Sequence, residues 1–161
     1  LLVVAVFAAI ALVAVGLDPR ALPLVYLAAV TPTLCAIDAL ERRLPNSLVL
    51  PGYLAASAGI VAHWIVGGES STVAVVSGVL YFVVMLAFAV AGGMGMGDVK
   101  LAGVLGISAG LVSATAAVVS PLVAFVLGGI AAIGALRGGR GASIPFGPFL
   151  LAGFWVAVVV G

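Results

Sequence analysis

The sequence predicts an all-α protein, a polytopic bundle of about six or seven transmembrane helices. Hydrophobic residues make up 65% of the 161-residue chain, the mean hydropathy is +1.46, and only 7% of the residues are charged. In ordinary soluble domains about a quarter of the residues are charged. Five acidic and six basic side chains could not cover a soluble fold that hides so many apolar residues. We therefore expect residues 1–161 to form a single domain embedded in a lipid bilayer.

Apolar stretches recur along the chain and define its elements. A helical span needs about 20 predominantly apolar residues, because the hydrocarbon core is about 30 Å thick. The stretches cover residues 2–15, 22–37, 48–66, 72–91, 99–108, 111–136 and 145–160. The chain opens at Leu1 without a methionine and is already apolar there, so we expect its natural start to lie upstream.

Short polar segments separate these stretches. Residues 16–20 combine Gly, Asp, Pro and Arg, which favour a turn. Segment 38–46 holds four charged residues and ends in a Pro-Asn pair, which stops a helix and turns the chain. Residues 67–71 form a polar loop and residues 137–141 a basic, glycine-rich loop.

The fifth stretch, residues 99–108, is short and rich in small residues. At about 1.5 Å per residue it falls well short of a hydrocarbon core of about 30 Å. Its Gly103 and Gly106, with Gly110 just beyond, would let another helix approach closely. The stretch either crosses in a tilted or thinned region or spans only part of the bilayer.

The distribution of basic residues favours the crossing alternative. If the fifth stretch crosses, one side of the membrane holds all basic residues except Arg20. The basic residues of that side are Arg42, Arg43, Lys100, Arg137 and Arg140. Without the crossing the six divide three and three. By the positive-inside rule the richer side is cytoplasmic, and Asp38 and Asp98 then lie at the cytoplasmic ends of their helices.

Residues 92–101 place an acid and a base, Asp98 and Lys100, directly after a run of glycines. Glycine inside a helix costs roughly 1 kcal/mol, and a carboxylate in hydrocarbon costs roughly 2.5–3.5 kcal/mol. This placement therefore indicates a functional segment, although a plain flexible loop is the alternative. The glycines before Asp98, Gly95 and Gly97 among them, would let the backbone bend sharply at the membrane edge and leave room for a substrate chain. Lys100 would anchor the segment at the headgroups or influence which aspartate ionises.

Two aspartates at one depth on different helices can meet inside a bundle. A close pair of carboxyl groups cannot both ionise cheaply, so one keeps its proton. The ionised member can then activate a water molecule while the protonated member polarises a carbonyl group, which is aspartic peptidase chemistry. The simpler alternative is that each acid caps a helix or pairs with a neighbouring base, Asp38 with Arg42 and Asp98 with Lys100.

Three motifs follow one another around these aspartates. In residues 38–48 an aspartate ends a span and is followed by a basic turn, a Pro-Asn pair and another apolar run. Residues 95–101 read Gly-x-Gly-Asp-x-Lys-Leu, and residues 144–150 read Ile-Pro-Phe-Gly-Pro-Phe-Leu. In this order, on a bundle of this size, the motifs resemble those of the type IV prepilin peptidase family. The resemblance covers the chain from about residue 31 to the end.

The resemblance implies an intramembrane aspartic endopeptidase with Asp38 and Asp98 as the catalytic residues. Its substrates would be prepilin, pseudopilin or preflagellin-like precursors, which have a basic leader, a glycine before the cut and then a long apolar helix. Cleavage would take place at the cytoplasmic face of the inner (cytoplasmic) membrane, and no metal or organic cofactor is required. Many relatives also N-methylate the new terminus and carry a cytoplasmic insertion with paired cysteines. This sequence lacks that insertion, so methylation is left open.

Other functional classes fit less well. A net charge of +1 gives no basic patch for nucleic acid, and the single Cys35 excludes an internal disulfide or a cysteine cluster for zinc. A small proton-coupled transporter or channel is the main alternative, because acids inside membranes also mark ion pathways. It would favour acids near the midplane and repeated halves, which the sequence does not show. A non-catalytic membrane subunit of a pilus or secretion system is the third possibility.

Four further polar residues have simple structural interpretations. We expect Thr31 and Ser113 to bond the backbone of their own helices. Cys35 is expected to be a small apolar filler, and His63, beside a tryptophan, an interfacial anchor.

Overall fold

The computed structural model describes residues 1–66, 71–137 and 144–161, and within these ranges every regular element is an α-helix. The helices are α1 (Leu2–Val15), α2 (Ala21–Glu41), α3 (Asn46–Ile65), α4 (Thr72–Val90), α5 (Met96–Val112), α6 (Ala114–Arg137) and α7 (Gly147–Val160). The predicted all-α bundle is confirmed. Most residues of the predicted loops 67–71 and 137–141, including Glu69 and Arg140, lie outside the described residues.

Four of the described helices are long and apolar enough to cross a membrane, namely α2, α3, α4 and residues 114–135 of α6. This number is somewhat lower than the predicted six or seven. The helices α1 and α7 are apolar but have only 14 residues each. The chain is therefore an integral membrane protein.

Helix α5 lies at the centre of the bundle. Ten of its 17 residues are buried, and it packs against α3, α4, α6 and α7. Its contact with α4 is close, because a Cβ atom at Gly106 would lie only 2.8 Å from the Cα of Gly78. A Cβ at Gly110 would lie 2.6 Å from the Cα of Ala74. The prediction that these glycines admit a neighbouring helix is confirmed.

Helix α5 also runs from one end of the bundle to the other. Its C-terminal part reaches Ala74 in the first turn of α4, and Leu111 lies beside Gly59 near the end of α3. Its first turn lies at the opposite end, with the C-termini of α2 and α4. The fifth predicted stretch therefore runs the length of the bundle, and at 17 residues it is longer than predicted. Its 17 residues extend about 25 Å along the helix axis.

Besides those of α5, two helix boundaries differ from the prediction by three or more residues. Helix α2 continues to Glu41 instead of ending at residue 37, so Asp38 lies in its last turn and not in a loop. Helix α6 begins at Ala114 instead of residue 111, because Ser113 is extended with φ −166° and ψ 165°. The Ser113 hydroxyl accepts a hydrogen bond from the N–H of Ala116 at 2.9 Å and so caps α6.

Polar side chains in the helices form specific contacts. Thr31 donates to the carbonyl of Leu27 at 2.6 Å, as predicted, and accepts a hydrogen bond from the indole N–H of Trp155 at 3.0 Å. This second bond joins α2 to α7. At the end of α3, the Nδ1 atom of His63 lies 3.3 Å from a carboxylate oxygen of Asp18. His63 therefore also connects α3 to the turn between α1 and α2.

Candidate active site

The structure brings Asp38 and Asp98 to one cleft at the end of the bundle where α2 ends and α5 begins. We call this end the aspartate end. The cleft has a volume of about 820 Å³, and α4, α6 and the segment before α7 complete its walls. Since Asp38 lies in the last turn of α2 and Asp98 in the first turn of α5, the two carboxyl groups share one level of the bundle.

Asp38 is buried and is held by the beginning of α7. Its Oδ2 accepts a hydrogen bond of 2.9 Å from the backbone N–H of Gly147. The first N–H groups of a helix have no partner within the helix and carry partial positive charge, so they favour a carboxylate at this position. A Cβ at Gly147 would lie 2.8 Å from the same oxygen, which explains why this residue is glycine.

Sequence reasoning missed the role of Gly147. The Ile-Pro-Phe-Gly-Pro-Phe-Leu motif at residues 144–150 supports the family resemblance, but it does not indicate what its glycine contacts. The signal in the sequence was a glycine at the first position of a helix, directly before Pro148. It did not identify the partner, because Asp38 lies 109 residues earlier in the chain.

Asp98 has a different environment. Its Oδ1 atom is buried and has no hydrogen-bond partner among the described residues. The alternative in which each aspartate pairs with a nearby base is not seen in the described part of the chain, where neither Asp38 with Arg42 nor Asp98 with Lys100 forms an ion pair. A buried polar atom without a partner is unfavourable unless another group, such as a substrate or water, can reach it.

Lys100 points away from this acid and connects two helices. Its Nζ donates to the side-chain oxygen of Asn46 at 3.1 Å, and its carbonyl accepts a hydrogen bond of 2.8 Å from the hydroxyl of Tyr53. Both partners belong to α3. Lys100 therefore holds the beginning of α5 against α3, which adds a direct contact to the predicted anchoring at the headgroups.

The glycines before Asp98 have separate positions. Gly95 lines the cleft, and a Cβ there would lie 3.5 Å from Asp98 Oδ2, an ordinary contact distance. A Cβ at Gly97 would lie 2.9 Å from the Cβ of Leu44, so Gly97 admits the loop between α2 and α3. The sharp backbone bend expected of the glycines before Asp98 occurs at Gly92, which has a φ of 81°.

Aromatic rings form one wall of the cleft. The ring centroids of Phe88 and Phe125 are 5.4 Å apart, and those of Phe125 and Phe146 are 5.7 Å apart. All three residues line the cleft. No group of three or more His, Cys, Asp and Glu side chains converges in the described ranges. The lining residues offer two carboxyl groups beside an apolar wall, and Arg42 is a further charged residue of the lining.

The fold and the cleft define a membrane-embedded helical protein whose candidate site is a pair of carboxyl groups. A sequence model of the type IV leader peptidase family matches residues 24–133, more than half of the chain, and the chain belongs to this family. The matched range contains both aspartates. Neither curated proteins nor solved structures gave a significant match. The chain is thus a membrane peptidase, and its family implies prepilin-type substrates.

Proposed function

We propose that this chain is an aspartic endopeptidase that removes the leader peptide from prepilin, pseudopilin or preflagellin-like precursors. The observation that carries the proposal is that Asp38 and Asp98, from two different helices, line the same cleft. In this proposal both are catalytic residues. Gly95, which lines the cleft, would contact the substrate, whereas Gly97 and Lys100 would position the beginning of α5.

The surroundings of the two carboxyl groups support distinct roles. The N–H of Gly147 favours the ionised form of Asp38, whereas Asp98 Oδ1 has no donor among the described residues. A proton shared by the pair therefore resides on Asp98. Asp38 takes a proton from the attacking water while Asp98 donates its proton to the carbonyl oxygen of the scissile peptide bond. Collapse of the tetrahedral intermediate then passes a proton to the leaving amine, and the pair regains its single proton.

We place the aspartate end at the cytoplasmic face of the inner membrane. Because α5 crosses the bundle, Arg42, Arg43 and Lys100 belong to the aspartate end together with the end of α6. Arg20 lies at the other end, in the turn before α2. This distribution supports the assignment through the positive-inside rule.

Residues 1–161 act as a single domain in this proposal. The last helix supplies Gly147 to the cleft, and the indole of Trp155 in α7 stacks on Phe7 of α1 with ring centroids 4.6 Å apart. The first and last helices are therefore joined to each other. A transporter finds no support in this arrangement, since both acids lie at one end of the bundle and not at its middle.

The proposal is tested by incubating the purified chain with a prepilin-type precursor and measuring the product mass. We expect the precursor to lose its leader, with the new N-terminus directly after the glycine at the cut. A precursor in which this glycine is replaced by a bulky residue is the matched control and should be cut more slowly. A folded chain that leaves the precursor intact would contradict the proposed substrate class.

A further inference from the structure

Helices α4 and α6 are neighbours that both pack on α5, and two cavities lie along the seam between them. The first is the cleft that contains the aspartates. The second has a volume of about 440 Å³ and is lined by α4 between Thr72 and Val84 and by α6 between Ala114 and Pro121. These segments lie on the side of the bundle away from the aspartates.

The lining residues of both cavities share one face of each helix. On α4, Val76, Leu80 and Val84 line the second cavity and Phe88 lines the cleft, a regular spacing of four residues. Residues four apart lie above one another on a helix. The face extends about 18 Å along the helix axis. The side chains on it are apolar.

Helix α6 repeats this pattern. Ala117 and Pro121 line the second cavity, and Phe125, Gly128 and Ala132 line the cleft, at spacings of three and four residues. We call the surface formed by these α6 residues and by Val76, Leu80, Val84 and Phe88 of α4 the α4–α6 groove. It begins at the aspartate cleft and continues toward the opposite end of the bundle.

We propose that the α4–α6 groove binds the apolar helix of the precursor, starting directly after the scissile bond. This inference rests on the proposed function. A precursor whose apolar helix begins beside the cut needs an apolar surface that begins beside the catalytic carboxyl groups. That apolar surface must then continue through the bilayer. The groove has this position and direction, because the residues that line the two cavities follow one another along the same faces of α4 and α6.

Elsewhere around the two aspartates, hydrogen bonds join neighbouring helices. The hydrogen bond between Gly147 and Asp38 joins α7 to α2, and the bond from Tyr53 to the carbonyl of Lys100 joins α3 to α5. On the groove side, by contrast, a Cβ at Gly129 of α6 would meet no atom within 4 Å. Small residues on α6 leave room for the backbone of a second helix to approach.

Binding in the groove also positions the scissile bond for cleavage. A helix held along α4 and α6 fixes the residues at its start. The scissile bond is then already positioned beside Asp38 and Asp98 before the reaction. Dispersion contacts with the groove then supply the binding free energy, since a bilayer provides no hydrophobic force between helices.

The kinetic test uses two neighbouring valines. Val76 lines the groove, whereas Val75 points away from it, and their exposed fractions are similar at 56% and 49%. We expect Val76→Trp to lower kcat/KM for the whole precursor about tenfold or more, a change that corresponds to about 1.4 kcal/mol. A peptide that ends just after the cut should be cleaved unchanged by the same variant. Val75→Trp should leave both reactions at the wild-type rate.

The second measurement is photocrosslinking, which does not depend on tryptophan being tolerated. A photoreactive side chain is placed at Val76, Val84 or Val75 in an Asp98→Asn background that retains the precursor. We expect precursor crosslinks from Val76 and Val84 and none from Val75. Because the precursor helix would run opposite to α4, the Val84 crosslink should fall about eight residues nearer the cut, a distance of about 12 Å.

The outcomes separate this inference from the function on which it rests. If the wild type cuts the precursor but Val76→Trp equals Val75→Trp and Val76 crosslinks only to lipid, the groove proposal is wrong and the peptidase assignment stands. If the wild type cuts neither the precursor nor the short peptide, the proposed function fails and the groove proposal fails with it.

Discussion

The contact between Gly147 and Asp38 shows how single residues build the candidate site. The two aspartates were predicted from the sequence because a charged residue beside apolar helices costs free energy and therefore indicates a function. Gly147 was not predicted, because its role depends on a backbone N–H whose partner lies 109 residues earlier. Motif reading identifies side chains that carry chemistry, whereas backbone donors become visible only when the chain is folded.

We expect Gly147→Ala to lower the cleavage rate. The added methyl group would lie 2.8 Å from Asp38 Oδ2, so the carboxylate must move and its hydrogen bond weakens. Hydrogen bonds to charged groups contribute about 1.5–3 kcal/mol, which corresponds to a loss of about tenfold to a hundredfold in kcat. Gly134→Ala is the matched control, since a Cβ there meets no atom within 4 Å. Equal kcat values for the two variants would argue against a positioning role for Gly147.

At the other end of the bundle, Asp18 provides a prediction on pH. Partial burial acts to raise its pKa, but hydrogen bonds from the backbone and side chain of Arg20 and the nearby Arg20 and His63 hold the pKa below its usual value. A lowered pKa in the folded state means that the carboxylate stabilises the fold above the unfolded pKa of about 3.9. That stabilisation is lost as the pH falls through the folded pKa.

Asp18→Asn should therefore lower the thermal unfolding temperature at pH 7, by an amount corresponding to at most about 1 kcal/mol. The difference from wild type should shrink as the pH is lowered toward 3. Thermal unfolding in detergent at several pH values measures the difference at pH 7 and its change with pH. Glu41→Gln removes a more exposed partner of Arg43 and serves as the comparison, with a smaller expected effect. A difference between Asp18→Asn and wild type that grows in acid would contradict this explanation.

At the scale of elements, α5 is the helix whose extent was least predictable. The sequence suggested a short segment at 99–108, because Gly95 and Gly97 are poor helix formers. In the structure the helix includes Gly97 and Asp98, since burial on all sides and the bonds of Lys100 to α3 outweigh the low propensity. The end of α2 was misplaced for a similar reason. Charged residues suggested a loop at Asp38, yet α2 continues to Glu41.

We expect Gly106→Ala to destabilise the bundle by separating α4 from α5. The new methyl group would lie 2.7 Å from the carbonyl oxygen of Ser77 and 2.8 Å from the Cα of Gly78, which are backbone atoms that cannot rotate away. Overpacking of this kind costs typically 1–3 kcal/mol. Gly134→Ala, the same change in open space on α6, should leave stability unchanged or slightly raised. Thermal unfolding of both variants decides, and equal unfolding temperatures would contradict close packing of these helices.

At the scale of the whole molecule, the fold class and the family followed from composition and three motifs. A chain with 7% charged residues has few alternatives to a helical bundle in a membrane. What the sequence did not show is the arrangement, in which α5 is surrounded while α4 and α6 keep an apolar face free. Such placement depends on contacts between distant helices, as in the bond from Trp155 to Thr31. Hydropathy alone does not report them.

The central claim is that Asp38 and Asp98 form the catalytic pair, and single-turnover cleavage of a prepilin-type precursor tests it most directly. Wild type, Asp38→Asn and Asp98→Asn are compared under identical conditions, with thermal unfolding to verify that each is folded. We expect each substitution to slow cleavage by about 10²–10⁴-fold, because each removes one proton-transfer group. Cleavage at the wild-type rate by either folded variant would contradict the account.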